Sequence, residues 1–351
     1  MEASGAIDVS GTRLARPGNG RGREVRRMKT NLTDGWRFAL TPPGACPGDP
    51  DGAGWKDVSL PHDFLIHDAD RLYADGDGWY QRTLHFDRTA LEGETWLCFD
   101  GAYPDAAVFV NGEKACEHHS GYTAFDVRLT GLIREGDNDL RVVCRHRAPC
   151  SRWYSGAGLF REAVLRTEGK KHILPGSVYF SARRLPSGAW RMAVSCRCAG
   201  AESGNEAAFV LKDGAGETIL RLTAPVSPEG EAKAEREVGG VRLWDLNDPY
   251  VYSLESSFAG SREETTVGFR ETAFDSRRGF FLNGKHVKIR GVCLHHDLGA
   301  LGAAFNAKAA ERQLKLMKEM GVNAVRFSHN PPAREMMELC DRMGLLADSE
   351  L

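Results

Sequence analysis

The chain has 351 residues, 42% of them hydrophobic and 27% charged, and a formal net charge of −2 at pH 7. That length suits two or three domains of ordinary globular composition. The near-neutral balance gives no reason to expect nucleic acid or an anionic membrane as partner, and no run approaches the roughly 20 apolar residues of a membrane span.

Residues 1–27 carry six arginines against three acidic residues, with Gly and Pro and almost no apolar pattern. They read as a disordered tail. No apolar segment follows the charges, as a secretory signal needs, and Glu2, Asp8 and Glu24 argue against a transit peptide. From Asn31 onward the character changes to short strands. TWLCFDG, AAVFVNGE and NDLRVVCRH alternate or run apolar, with Leu140, Val142 and Cys144 on one face. Asn111–Gly112 signals a hairpin turn, and turn residues every 8–12 positions predict a sandwich or jelly roll. His62, Asp63, His67, His118 and His119 match no metal-site spacing and read as loop or partly buried side chains. Arg152, Trp153 and Tyr154 have two readings. They could line a sugar site by stacking and hydrogen bonding, or Gly156 and Gly158 permit a tight turn while Trp153 and Arg152 pack against a neighbouring domain. The packing reading is preferred.

Residues 171–272 form a second β-rich block. Its polar tracts ESGNEA and SPEGEAKAERE look like solvated hairpin ends, and it shows no chemistry. Cys196 and Cys198 would share one strand face, too few ligands for a zinc site. Nine scattered cysteines read as reduced structural thiols, which favours a cytoplasmic location.

The last stretch begins with a hairpin through Asn283–Gly284. Val287, Ile289 and Gly291–Val292 then suit a strand. Asn306 can cap a helix bearing Ala310, Leu314, Met317 and Met320, which Gly321 stops. A strand over 323–327, a helix over 333–343 stopped by Gly344, and a strand opening at 345–347 repeat the unit. Such alternation starts a parallel α/β array. His295, His296 and Asp297 follow its first strand, and Ser328, His329 and Asn330 its second. In a (β/α)8 barrel both groups lie on the catalytic face.

The strings RGVCLHHDLGALG and NAVRFSHNPP resemble the opening of the catalytic barrel in glycoside hydrolase family 2. SLPHDF, GWYQRTLHF, AYPDAAVFVNGE and SRWYSGAGLFREAVL resemble, in order, landmarks of that family's sugar-binding domain, and LWDLNDPYVYSLESSF with VGFRETAF its sandwich domain. The resemblance implies a jelly-roll sugar-binding domain over 28–170, an immunoglobulin-like β-sandwich over 171–272, and the N-terminal part of a TIM barrel over 273–351. It also implies hydrolysis of β-galactosides by a retaining two-carboxylate mechanism. The alternatives are a β-glucuronidase, which shares the spacing of His295 and Asp297, and a non-catalytic carbohydrate-binding remnant. In the family both catalytic glutamates follow later barrel strands, so they are expected beyond Leu351 and the chain is read as a truncated, inactive form. Glu350 falls at the acidic end of the third strand, and Asp348 stands where the family usually has an apolar residue. By the same resemblance His295, Asp297, His329 and Asn330 bind substrate, and Arg326 holds the nucleophile ionised. No cofactor or metal is implied. The expected partner is a β-linked sugar, and a homo-oligomer is left open. An unclosed barrel should expose Val325 and Phe327.

Overall fold

The computed structural model describes residues 27–48 and 54–350. The expected tail lies outside these residues, apart from Arg27. The described chain divides into two compact units. One takes in the residues up to Gly169 with His295–Ala310 and Asn330–Ala333. The other holds Lys170–Leu294, Glu311–His329 and the residues from Arg334 onward.

The first unit contains two antiparallel sheets. One has six strands, in the order Lys56–Val58, Trp36–Thr41, Gly76–Phe86, Gly136–His146, Asp105–Val110 and Glu113–His118. The other has four: Met28–Asn31, Ala163–Glu168, Glu94–Phe99 and Phe125–Arg128. Trp36, Tyr80, Phe86, Leu97, Phe99, Val127 and Leu165 from both sheets share one core, as alternation along each strand requires. Leu140, Val142 and Cys144 lie on its buried face, and Val143 is buried as well. Asn111 and Gly112 have φ of 52° and 83°, the left-handed pair that a primed hairpin turn needs.

In the second unit Trp190–Ala199 pairs with Tyr179–Arg184 and Glu231–Val238. A second sheet runs Thr218–Pro225, Glu206–Lys212, Tyr252–Phe258, Ser261–Val267. Trp190, Met192, Phe209, Leu211, Leu254 and Phe269 form the core. The SPEGEAKAERE tract is mostly strand rather than hairpin end. Only its start turns, and Glu231–Val238 pairs along its whole length with buried Ala232 and Val238 inward. Small inward residues among many charges hid the alternation. Cys196 and Cys198 share a buried face with their sulfurs 3.7 Å apart, and all nine cysteines are free.

Thr272–Asp275, Gly279–Leu282 and Lys285–His286 form a small antiparallel sheet turning at Asn283 and Gly284, with φ of 51° and 77°. A parallel sheet of Gly291–Leu294, Ala324–Phe327 and Leu346–Ser349 follows, joined by helices Ala307–Glu319 and Arg334–Met343. Its first strand begins later than the β-branched run suggests. Val287 instead joins the cluster of Trp244, Phe280 and Leu282, and Asn323 ties off the approach by bonding Lys288 O and Arg290 N. The expected exposure of Val325 and Phe327 is also wrong: they are 0% and 4% exposed. Strand alternation turns them to the covered face, and the opposite face carries Cys293, Arg326 and Asp348 in register. Among the described residues no helix is long and apolar enough to cross a membrane.

Candidate active site

The five candidate residues fall in both units: Arg326 and His329 in one, His295, Asp297 and Asn330 in the other. Each group is built by its own surroundings.

Arg326 lies on the central parallel strand, level with Cys293 and Asp348. Its Nη1 donates to Ser328 Oγ at 2.9 Å and lies 3.6 Å from Cys293 Sγ. Its Nη2 forms an ion pair with Glu350 and lies 3.4 Å from His329 Nδ1. The Ser328–His329 peptide is cis. His329 Nδ1 is 2.8 Å from Glu350 Oε2. A carboxylate only accepts, so this shorter contact assigns the proton to Nδ1 and leaves the lone pair on Nε2. The hydrogen bond from His329, then the charge of Arg326, hold the Glu350 carboxyl below its ordinary range. The Arg326 hydrogen bond likewise lowers the exposed Cys293 thiol. The cluster is thus a fixed cation beside one carboxylate and one imidazole.

In the first unit His295 stacks on Trp153, the centroids 5.1 Å apart and the planes at 25°. Its neighbour His296 has a different task. Its Nε2 donates to Ser155 O at 2.6 Å, its ring is surrounded by Tyr103, Tyr122 and Phe160, and burial lowers its pKa. A neutral, half-buried His296 fastens the loop that carries His295 and Asp297. Asp297 is half-buried, and its charge acts on Tyr154 and His296. Asn330 is half-buried, and its Oδ1 is enclosed with no hydrogen-bond partner among the described residues. Such an acceptor suits a ligand donor. Arg152, for which packing against a neighbouring domain is preferred, is exposed and does not pack. Tyr154 packs, donating to Asp63 at 2.5 Å, and Trp153 is committed to a candidate sugar residue.

Two residues that hold this loop cluster were missed as such. Asp63 accepts from Leu65 N, Ala157 N, Tyr154 OH and Ala303 N at 2.5–3.0 Å. Arg161, 3% exposed, donates to Tyr122 O and Asp100 O and, through Nη2 at 2.7 Å, to Pro331 O, fixing the segment after Asn330. Their partners lie too far along the chain for any local pattern to flag them. Among the described residues no group of three or more His, Cys, Asp or Glu side chains could hold a metal ion.

Residues 276–350 match the family model described as glycosyl hydrolases family 2, TIM barrel domain. Residues 51–169 match the one described as glycosyl hydrolases family 2, sugar binding domain. The chain is similar to beta-galactosidase BoGH2A of Bacteroides ovatus, 34% identical over 92% of this chain and 41% of the relative. It is also similar to a beta-glucuronidase of Bacteroides fragilis, 28% identical over 93% and 50%. Among solved structures it resembles a glycosyl hydrolase family 2 member from Bacteroides cellulosilyticus, with a TM-score of 0.84, 28% identity, and coverage of 92% and 47%. The Bacteroides uniformis beta-glucuronidase 2 bound covalently to cyclophellitol-6-carboxylate aziridine gives 0.80 and 25%, with coverage of 92% and 42%. The chain therefore spans about half or less of the length of these relatives.

Proposed function

Because the chain belongs to glycoside hydrolase family 2, we propose that it is the sugar-orienting part of a retaining β-galactosidase. In this reading residues 28–170 are a jelly-roll domain, 171–272 an immunoglobulin-like sandwich, and 273–351 the opening of a (β/α)8 barrel. The observation that carries the reading is the convergence of Arg326, His329 and Glu350 at the ends of the parallel strands.

Retaining hydrolysis uses two carboxyl groups about 5–5.5 Å apart, one protonating the leaving oxygen and one attacking the anomeric carbon. These residues supply neither. Their part is to hold the ring and tune its surroundings. Arg326 stabilises an adjacent carboxylate in its ionised form, the form that attacks. His329, with its Nδ1 proton committed to Glu350, presents Nε2 as acceptor to a hydroxyl. In the first unit His295, braced by Trp153, with Asp297 and Asn330 forms a separate set of groups suited to directional sugar contacts. In this reading the catalytic pair is not among the residues named above. The nine free thiols favour a reducing, cytoplasmic setting.

A second reading, a β-glucuronidase, is favoured by the glucuronidase relatives. The deciding experiment uses a protein carrying this stretch within a complete barrel, offered aryl β-galactosides and aryl β-glucuronides. NMR of the first-formed sugar follows its anomer. Galactoside cleavage with retention is expected. Preference for the glucuronide would select the second reading, inversion would refute the mechanism, and no cleavage of either would leave a carbohydrate-binding remnant.

A further inference from the structure

Cys150 lies in the loop between Gly136–His146 and Ala163–Glu168 and takes no part in the sugar chemistry above. Its side chain is exposed. Its Sγ lies 3.4 Å from His146 Nε2 and 3.4 Å from Ser155 Oγ. His146 is 0% exposed, and its Nδ1 lies 2.9 Å from Ala74 O. A carbonyl oxygen can only accept, so Nδ1 carries the proton of the neutral ring. Nε2 then has its lone pair directed at the thiol. Nucleophile, base and a third group orienting the base are the parts of an activated thiol.

The loop is fastened in this geometry. Asp75 Oδ1 accepts from Ala148 N at 2.6 Å. Arg147 pairs with Asp77 at 2.7 Å and donates to Gly76 O. Burial of the imidazole keeps water from competing for Nε2, while exposure of the sulfur lets a reagent reach it. Among the other thiols only some are buried, and exposed Cys293 is lowered by its hydrogen bond with Arg326 instead of a histidine base. Burial raises those of Cys98 and Cys144 and pushes Cys340 up to about 12.

We propose that Cys150 is a nucleophilic thiol activated by His146, and that it is a site of oxidation by hydrogen peroxide. The Sγ proton passes to Nε2 and the sulfur attacks one peroxide oxygen. The O–O bond breaks, and the leaving hydroxide takes the proton back from Nε2 as water. Sulfur is oxidised by two electrons to the sulfenic acid, and peroxide is reduced to water.

The test treats the intact 351-residue chain with peroxide under dimedone trapping, and separately with iodoacetamide, and reads each cysteine by peptide mass spectrometry. Cys46, exposed like Cys150, is the internal standard. Cys150 is expected to react at least about tenfold faster than Cys46. In His146→Gln, whose amide cannot take the proton, that excess disappears while Cys46 keeps its rate. Labelling of buried Cys144 would report that a variant has unfolded, and the wild-type ratio then decides alone. Equal rates at Cys150 and Cys46 in the wild type, or an excess that persists in a folded His146→Gln, overturn the proposal.

Discussion

Asp63 shows what a single buried carboxylate does in this fold. It joins its own loop to partners 91, 94 and 240 positions away, which is why no local motif reveals it. Arg326 and His329 were legible because a short, distinctive string carries them together, whereas their contacts with Glu350, just past the third strand, appear only in the structure. Nearby titratable groups give two expected outcomes. Burial, then the charges of His67 and Lys56, lower the His62 pKa from 6.5 to about 3. The unfolded chain therefore binds this proton first. The stability contributed by neutral His62 is full above pH 6.5 and is lost as pH falls toward about 3. Denaturant unfolding across this window should show a shallower acid decline in His62→Gln than in the wild type. An unchanged slope would mean that His62 is not the group responsible. The second concerns Glu350, whose folded pKa is lowered by His329 and then Arg326. Its stabilising contribution is present above the unfolded value and disappears as pH falls through the folded one. NMR titration of its side-chain carboxyl should give a midpoint below 4.5, rising toward that value in His329→Ala.

At the scale of elements, the turns and caps were the most legible features, because left-handed backbone selects Gly and Asn. Both hairpins and both helix ends fall where those residues stand. The first strand of the parallel sheet was misplaced because β-branched residues also suit a packed approach segment, and only pairing partners distinguish the two. Gly344 ends the second helix with φ of 68°, and a Cβ there would meet the Leu246 carbonyl. Gly344→Ala should therefore destabilise the protein by more than about 1 kcal/mol, read from the shift of the urea midpoint. A neutral result would show that the loop relaxes. Among the described residues the parallel sheet has three strands, two of them at its edges. Its amides should exchange before those of Gly76–Phe86, which has a neighbour on each side. Equal protection would contradict this.

At the scale of the molecule, the order of two β blocks followed by a parallel β/α stretch was readable from alternation and period alone. The family was readable from eight ordered strings. What the strings could not show is how the candidate groups are held. The cradle of Asp63, Arg161 and His296 is assembled from segments distant in sequence, and long-range packing leaves no periodic trace. The proposed function divides the labour: these residues are proposed to orient a sugar and hold charge near it, with the two catalytic carboxylates supplied by other residues. Positioned acid–base catalysis typically contributes about 10²–10⁴-fold, and the covalent step needs its nucleophile besides. The direct measurement is release of the aryl group from aryl β-galactosides and β-glucuronides by the purified 351-residue chain, beside its Arg326→Ala variant. No release above blank is predicted for either protein. Turnover that survives repurification and falls in Arg326→Ala would contradict the account, because the catalytic pair would then lie within these residues.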